Sequence, residues 1–185
     1  VLIFFPSYML MEKCRKLWED SGIIDGIETY KNFYTEPKAS ARFKTVRRKF
    51  EQDVQDGIGA ILMGVCRGKV SEGLDFSDRA ARWVIIVGMP FAQWKDPKIQ
   101  LKMDYLNKKY RTGVSHINGK DWYNQEASRA VNQAIGRVIR HINDYGLILL
   151  VDKRYSGAKV KNERSKWLKD RQISFNDFQN AKKDI

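Results

Sequence analysis

The chain has 185 residues, enough to bury one sizeable core, and its 43% hydrophobic and 12% aromatic content is that of a folded globule. Its 34 Lys and Arg against 22 Asp and Glu leave a formal charge of +12, which favours a polyanionic partner such as nucleic acid or an anionic surface. Two cysteines (Cys14, Cys66) and two distant histidines (His116, His141) argue against a disulfide framework or a cysteine-rich metal site and predict a reducing, intracellular compartment.

VLIFF (1–5) opens the chain as a bare apolar strand with no initiator methionine, as expected of a piece of a longer polypeptide. After Pro6, Ser7 is a candidate N-cap for a helix whose inward stripe is Leu10, Cys14, Leu17 and Trp18. NFYT (32–35) is a second strand, and residues 40–56 read as a charged helix with Phe43, Val46 and Phe50 inward. AILMGV (60–65) and WVIIV (83–87) are the third and fourth strands. Asp96-Pro97 supplies a cap and a first-turn proline for a helix carrying Ile99, Met103, Leu106 and Tyr110. A further helix is predicted from about Asp121 to Arg140, followed by a fifth strand, LILLV (147–151).

Short apolar strands alternating with helices predict an α/β fold with a mostly parallel sheet covered on both faces. The domain is expected over residues 1–155. Residues 156–185 read as a basic extension, packing on the domain or leading to a linker, with Trp167, Phe175 and Phe178 as anchors. No apolar run approaches the length of a membrane span.

In an open parallel sheet, ligands gather where strands end. The third strand runs into VCRGKVSEGLDF (65–76), a near miss to a phosphate-binding P-loop. Gly64 and Gly68 are separated by three residues rather than four, and Val70 follows Lys69 where a hydroxyl is needed, so it is not a Walker A motif. Arg67, Lys69 and Ser71 are donors suited to phosphodiester oxygens. Glu72, Gly73 and Asp75 offer acceptors and close backbone approach; a charged surface loop with turn glycines is the plainer alternative. Ser7 offers a hydroxyl to a phosphate, or serves only as a cap. Lys153 and Arg154 add cations after the last strand, and Trp94, Trp122 and Tyr123 are candidates for base stacking or for packing.

The segment QAIGRVIRH (133–141) places Gln133, Gly136, Arg137 and Arg140 on one helical face and Ala134, Ile135, Val138 and Ile139 on the other. Two guanidinium forks one turn apart suit a polyanion, and a glycine between them lets something bulky approach; a solvated amphipathic face is the alternative.

Taken together, RGKVSEGLDF, QAIGRVIRH and DYGLILLVDKRY resemble the second motor domain of superfamily 2 helicases, in the XPD-like branch of DNA helicases. The resemblance implies a three-layer RecA-like domain working beside a preceding motor domain, with ATP and Mg²⁺ bound between the two. It implies that a P-loop and a 4Fe–4S cluster lie in that preceding half. It assigns Arg137, Arg140 and Gln133 to the sixth motif as catalytic groups, and Glu72, Gly73 and Asp75 to the fifth motif on the nucleotide, with Gly136 keeping the interface clear. Ser7 and Tyr8 fall in the fourth motif, and Arg67, Lys69 and Ser71 would line the DNA track. The implied setting is the nucleus, in telomere maintenance or DNA repair, on single-stranded DNA or DNA junctions and without a membrane. With no Walker A motif, the chain alone is not expected to hydrolyse ATP. A nucleic-acid-binding module without motor function, and an RNA helicase of the same superfamily, are the alternatives.

Overall fold

All five apolar runs are strands in the computed structural model, which describes residues 1–70, 81–139 and 144–183. These are β1 (Leu2–Phe5), β2 (Asn32–Thr35), β3 (Ala60–Val65), β4 (Trp83–Val87) and β5 (Leu147–Val151). They form one sheet in the order β2-β3-β1-β4-β5, and every neighbouring pair is parallel. Central β1 is buried along its whole length because it is covered above and below. That explains why its residues are apolar without alternation.

Among the described residues, helices α1 (Tyr8–Asp20), α2 (Ile23–Glu28), α3 (Ser40–Gln55), α4 (Pro97–Arg111) and α5 (Gly119–Ile135) lie in the connections between these strands. Ile3, Phe5, Met63 and Val65 point to one face and pack with Met11 of α1. On the other face Tyr34 meets Phe50 of α3 edge to face, with ring centroids 6.5 Å apart. The β1-to-β2 connection runs toward one edge of the sheet and the β2-to-β3 and β4-to-β5 connections run toward the other. Right-handed crossovers therefore place their helices on opposite faces.

Three predicted details are corrected. On α1 the buried residue is Met11, with Leu10, Cys14 and Trp18 packed on the same core, while Leu17 is 56% exposed. The reason is that the inward face runs through Met11, Cys14 and Trp18 and leaves Leu17 at its margin. On α4 Met103 is buried but Tyr110, near the helix end, is half exposed. The last long helix begins at Gly119 and stops at Ile135, five residues short of the predicted end. Its start is tightly built. Asn118 caps it by accepting from Asp121 N–H at 2.9 Å, and Gly119 lies so close to α4 that an added Cβ would sit 2.5 Å from the Met103 carbonyl oxygen.

Residues Lys153–Ile185 form a second compact unit, with a 3-10 turn at Lys153–Ser156 and short helices at Ala158–Asn162, Lys166–Lys169 and Phe178–Lys183. Its buried groups are Tyr155 and Arg164, whose guanidinium donates to the Tyr155 carbonyl at 2.6 Å and lies over the Tyr155 ring. Trp167, Phe175 and Phe178, predicted as anchors, are instead exposed.

Candidate functional site

Adjacent strands β1 and β4 send their chains toward opposite edges of the sheet, so a crevice opens at their carboxyl ends. Gly88, just past β4, takes a left-handed φ of 72°, and a Cβ there would meet the Pro6 ring at 3.5 Å and an Asp152 carboxylate oxygen at 3.9 Å. The exits of β1, β4 and β5 thus converge on a residue that has no side chain.

Ser7 caps α1 from an extended conformation, its hydroxyl accepting from Leu10 N–H at 3.3 Å. The Tyr8 hydroxyl donates to Glu36 Oε1 at 2.5 Å. Burial, with the Glu36 hydrogen bond and negative charge behind it, pushes the Tyr8 phenol above its ordinary pKa, so it stays protonated at neutral pH.

Glu36 is a site residue that sequence reasoning missed. It follows β2, is 1% exposed, and takes backbone N–H groups from Val65 at 2.9 Å and Lys69 at 2.7 Å. The sequence shows only a TEPK turn there. The partial signal is Gly64 and Gly68, whose Cβ atoms would stand 3.0 Å and 2.5 Å from the carboxylate oxygens.

The two described cations of the β3 exit are both anchored. Lys69 Nζ donates to the carbonyls of Pro37, at 3.2 Å, and Lys38. Arg67 donates from Nε to the Pro90 carbonyl at 3.2 Å and from Nη2 to the Glu126 carbonyl at 2.9 Å. It ties the β3 exit to the β4 exit and to the middle of α5, and still remains exposed. Cys66 beside it is buried, which raises its thiol to about 12 and leaves it a protonated packing group. Trp94 and Tyr123 pack against each other edge to face at 5.0 Å, and Tyr123 stacks on Phe91 at 5.2 Å. The Tyr123 hydroxyl donates to the Ala92 carbonyl at 2.6 Å, so the aromatic group braces the β4 exit against α5.

About two turns beyond Glu126, α5 ends in the arginine segment. Gly136 is the C-cap, not a mid-helix residue, and its φ of −64° is one that any residue adopts. Past it the chain tightens into i→i+3 bonds, Arg137 N–H to Ala134 O at 3.3 Å and Val138 N–H to Ile135 O at 3.0 Å. The two-sided character survives the end of the helix. Ala134, Ile135 and Val138 are buried, Gln133 and Gly136 are exposed, and Arg137 is partly exposed.

The structure therefore draws Tyr8 and Lys69 together through Glu36, and Arg67 onto the helix that bears Gln133 and leads into Gly136 and Arg137. Ser71, Glu72, Gly73, Asp75 and Arg140 lie outside the described residues. Among the described residues no three His, Cys, Asp or Glu side chains cluster as metal ligands. The two cysteines cannot supply the four thiolates of an iron–sulfur cluster. No described helix is long and apolar enough to cross a membrane.

A family model described as the helicase C-terminal domain matches residues 1–171. The chain is 48% identical over 169 residues to the regulator of telomere elongation helicase 1 homolog of Drosophila melanogaster, and 49% identical over 169 residues to that of Drosophila ananassae. Each alignment covers 91% of this chain and 17% of the relative, so the chain spans less than a fifth of the length of the curated relatives it matches. The parallel sheet with helices on both faces is consistent with the RecA-like fold of such a domain. By the extent of this match, the chain belongs to the helicase C-terminal domain family of XPD-like superfamily 2 helicases.

Proposed function

We propose that this chain is the second motor domain of an ATP-dependent DNA helicase, of the type that acts in telomere maintenance and DNA repair in the nucleus. A preceding motor domain would bring ATP with Mg²⁺, and an iron–sulfur cluster would belong to that half. Arg137 and Arg140 would reach the triphosphate, and Gln133 would orient its reacting end. Glu72, Gly73 and Asp75 would meet the nucleotide from the β3 exit. Ser7, Tyr8, Arg67, Lys69 and Ser71 would border the single strand. Arg67 suits that role because two backbone carbonyls hold its guanidinium in place while it remains exposed.

The observation that carries this reading is the split at the end of α5: exposed Gln133 and Gly136 with partly exposed Arg137 beside them, backed by buried Ala134, Ile135 and Val138. A guanidinium held at such an edge can meet charge developing on a transferred phosphoryl group when a neighbouring lobe closes. Because that charge would arise on a nucleotide held by the other lobe, hydrolysis would require closure, and closure would move the strand.

The test uses the whole helicase with both motor domains. Arg137→Ala is expected to lower ATP turnover on the order of 10³-fold while leaving most of the single-strand affinity in place. Equal loss of both would mean that this arginine grips nucleic acid. Competing DNA against RNA as the stimulator of turnover separates a DNA motor from an RNA motor, and absence of any ATP effect on strand affinity would favour a binding module.

A further inference from the structure

The mechanism above makes no use of Glu36, although it is buried against the β3 exit. Its Oε1 accepts from the Tyr8 hydroxyl and from Lys69 N–H, and its Oε2 accepts from Val65 N–H. These donors belong to the exits of β1 and β3, while Glu36 itself follows β2. One carboxylate therefore joins three strand exits, with no ion pair to it among the described residues. A buried carboxylate without a cation persists only when several donors replace its lost water. Here the fold also clears space for it, since Gly64 and Gly68 would both crowd the carboxylate if they carried a Cβ.

Two of the three donors are backbone amides, so what Glu36 holds is the path of residues 65–69 rather than any one side chain. That stretch carries Arg67 and Lys69 and leads directly into residues 71–75. We propose that Glu36 is a positioning residue of the motor: it clamps the β3 exit to the first turn of α1 and so fixes the path on which the loop presents Arg67 and Lys69. The proposal rests on the motor reading above. If the loop transmits strand binding to the nucleotide, loosening its root should damage coupling more than it damages either affinity.

The experiment uses the complete helicase with Glu36→Gln and Tyr8→Phe variants. Glutamine offers one acceptor oxygen and turns an NH₂ toward a donor on the other side, so at least one amide bond is lost. Strand-stimulated ATP turnover is expected to fall at least tenfold in Glu36→Gln, with KM for ATP changed less than about threefold. Tyr8→Phe removes a single hydroxyl and keeps both amide bonds, so a loss of roughly threefold in the same quantity is expected, and its melting temperature checks that it folds. Hydrogen exchange provides a readout independent of turnover. At least one of the amides of Val65 and Lys69, the one that faces the new NH₂, should exchange at least tenfold faster in Glu36→Gln, while those of β1 and β5 hold their protection. Faster exchange with undiminished stimulation in both variants would reduce Glu36 to a fold-stabilising group and overturn the proposal. Unchanged exchange at both amides would overturn the clamp itself. A wild-type helicase with no strand-stimulated turnover would sink the motor reading and the coupling role with it, leaving exchange to decide the clamp alone.

Discussion

Two carboxylates are buried at opposite ends of the same sheet; both accept a backbone amide, but among the described residues only one of them also faces a guanidinium. At the amino-terminal edge Asp144, its side chain 2% exposed, pairs with Arg82 ahead of β4. Arg82 also donates to the Tyr145 carbonyl at 3.0 Å and lies 4.1 Å from the centre of the Tyr145 ring. At the carboxyl-terminal edge Glu36 holds a neutral hydroxyl and two backbone amides. A guanidinium at the first edge fastens a carboxylate and the adjoining backbone and closes the fold where the last strand begins. Amides at the second edge fix the course of a loop while its own side chains are turned to other tasks. The difference separates a carboxylate that secures the domain from one that shapes its candidate site.

The comparison can be broken at either end. Arg82→Ala removes the guanidinium from a buried acid, and the expected cost is about 3 kcal/mol in urea unfolding, with β5 losing hydrogen-exchange protection first. A cost below about 0.5 kcal/mol would show the pair to be an incidental surface contact. The Glu36 edge should show its own pH signature. The Tyr8 phenol is raised above its ordinary value of 10, chiefly by burial and then by Glu36. The stability this contributes is therefore fully present below about pH 10 and is lost as pH rises through the higher folded value. Allowing for solvent screening, that loss should be at most about 1 kcal/mol and should vanish in Tyr8→Phe, as followed by unfolding between pH 9 and pH 12. The smallest effect is expected at the arginine segment. Gly136→Ala should change stability by less than about 1 kcal/mol, because φ of −64° admits alanine and the nearest obstacle to a Cβ is Asn132 O at 3.3 Å. A much larger fall in ATP turnover from that same substitution would place the reason for the glycine outside this chain's own packing.

How much was legible depended on the range of the interaction. VLIFF and AILMGV could be read as strands because a parallel sheet covered on both faces demands apolar residues along a short run without alternation. The opposition of Gln133 and Arg137 to Ala134 and Val138 was legible for the same reason, since burial of one side imposes a period. The end of that helix was not legible, because QAIGRVIRH keeps its apolar period through a 3-10-like turn as well as through an α-helix. Met11 rather than Leu17 faces the core because the sheet meets the α1 face that runs through Met11, Cys14 and Trp18, and the apolar residues of the helix alone do not fix which margin of the stripe is covered.

By itself, then, the order of residues determined the five strands, their parallel alternation with helices, the cationic excess and the motifs by which the family could be named. Those features depend on periods and spacings within about twenty residues. Only the tertiary structure decided that Tyr8 and Lys69 meet on Glu36, that Arg67 is anchored to α5, and that Asp144 is sealed by Arg82. Each of these joins groups between 28 and 62 residues apart. Pairing at such a distance is set by strand order in the sheet, and no local pattern in the chain encodes it.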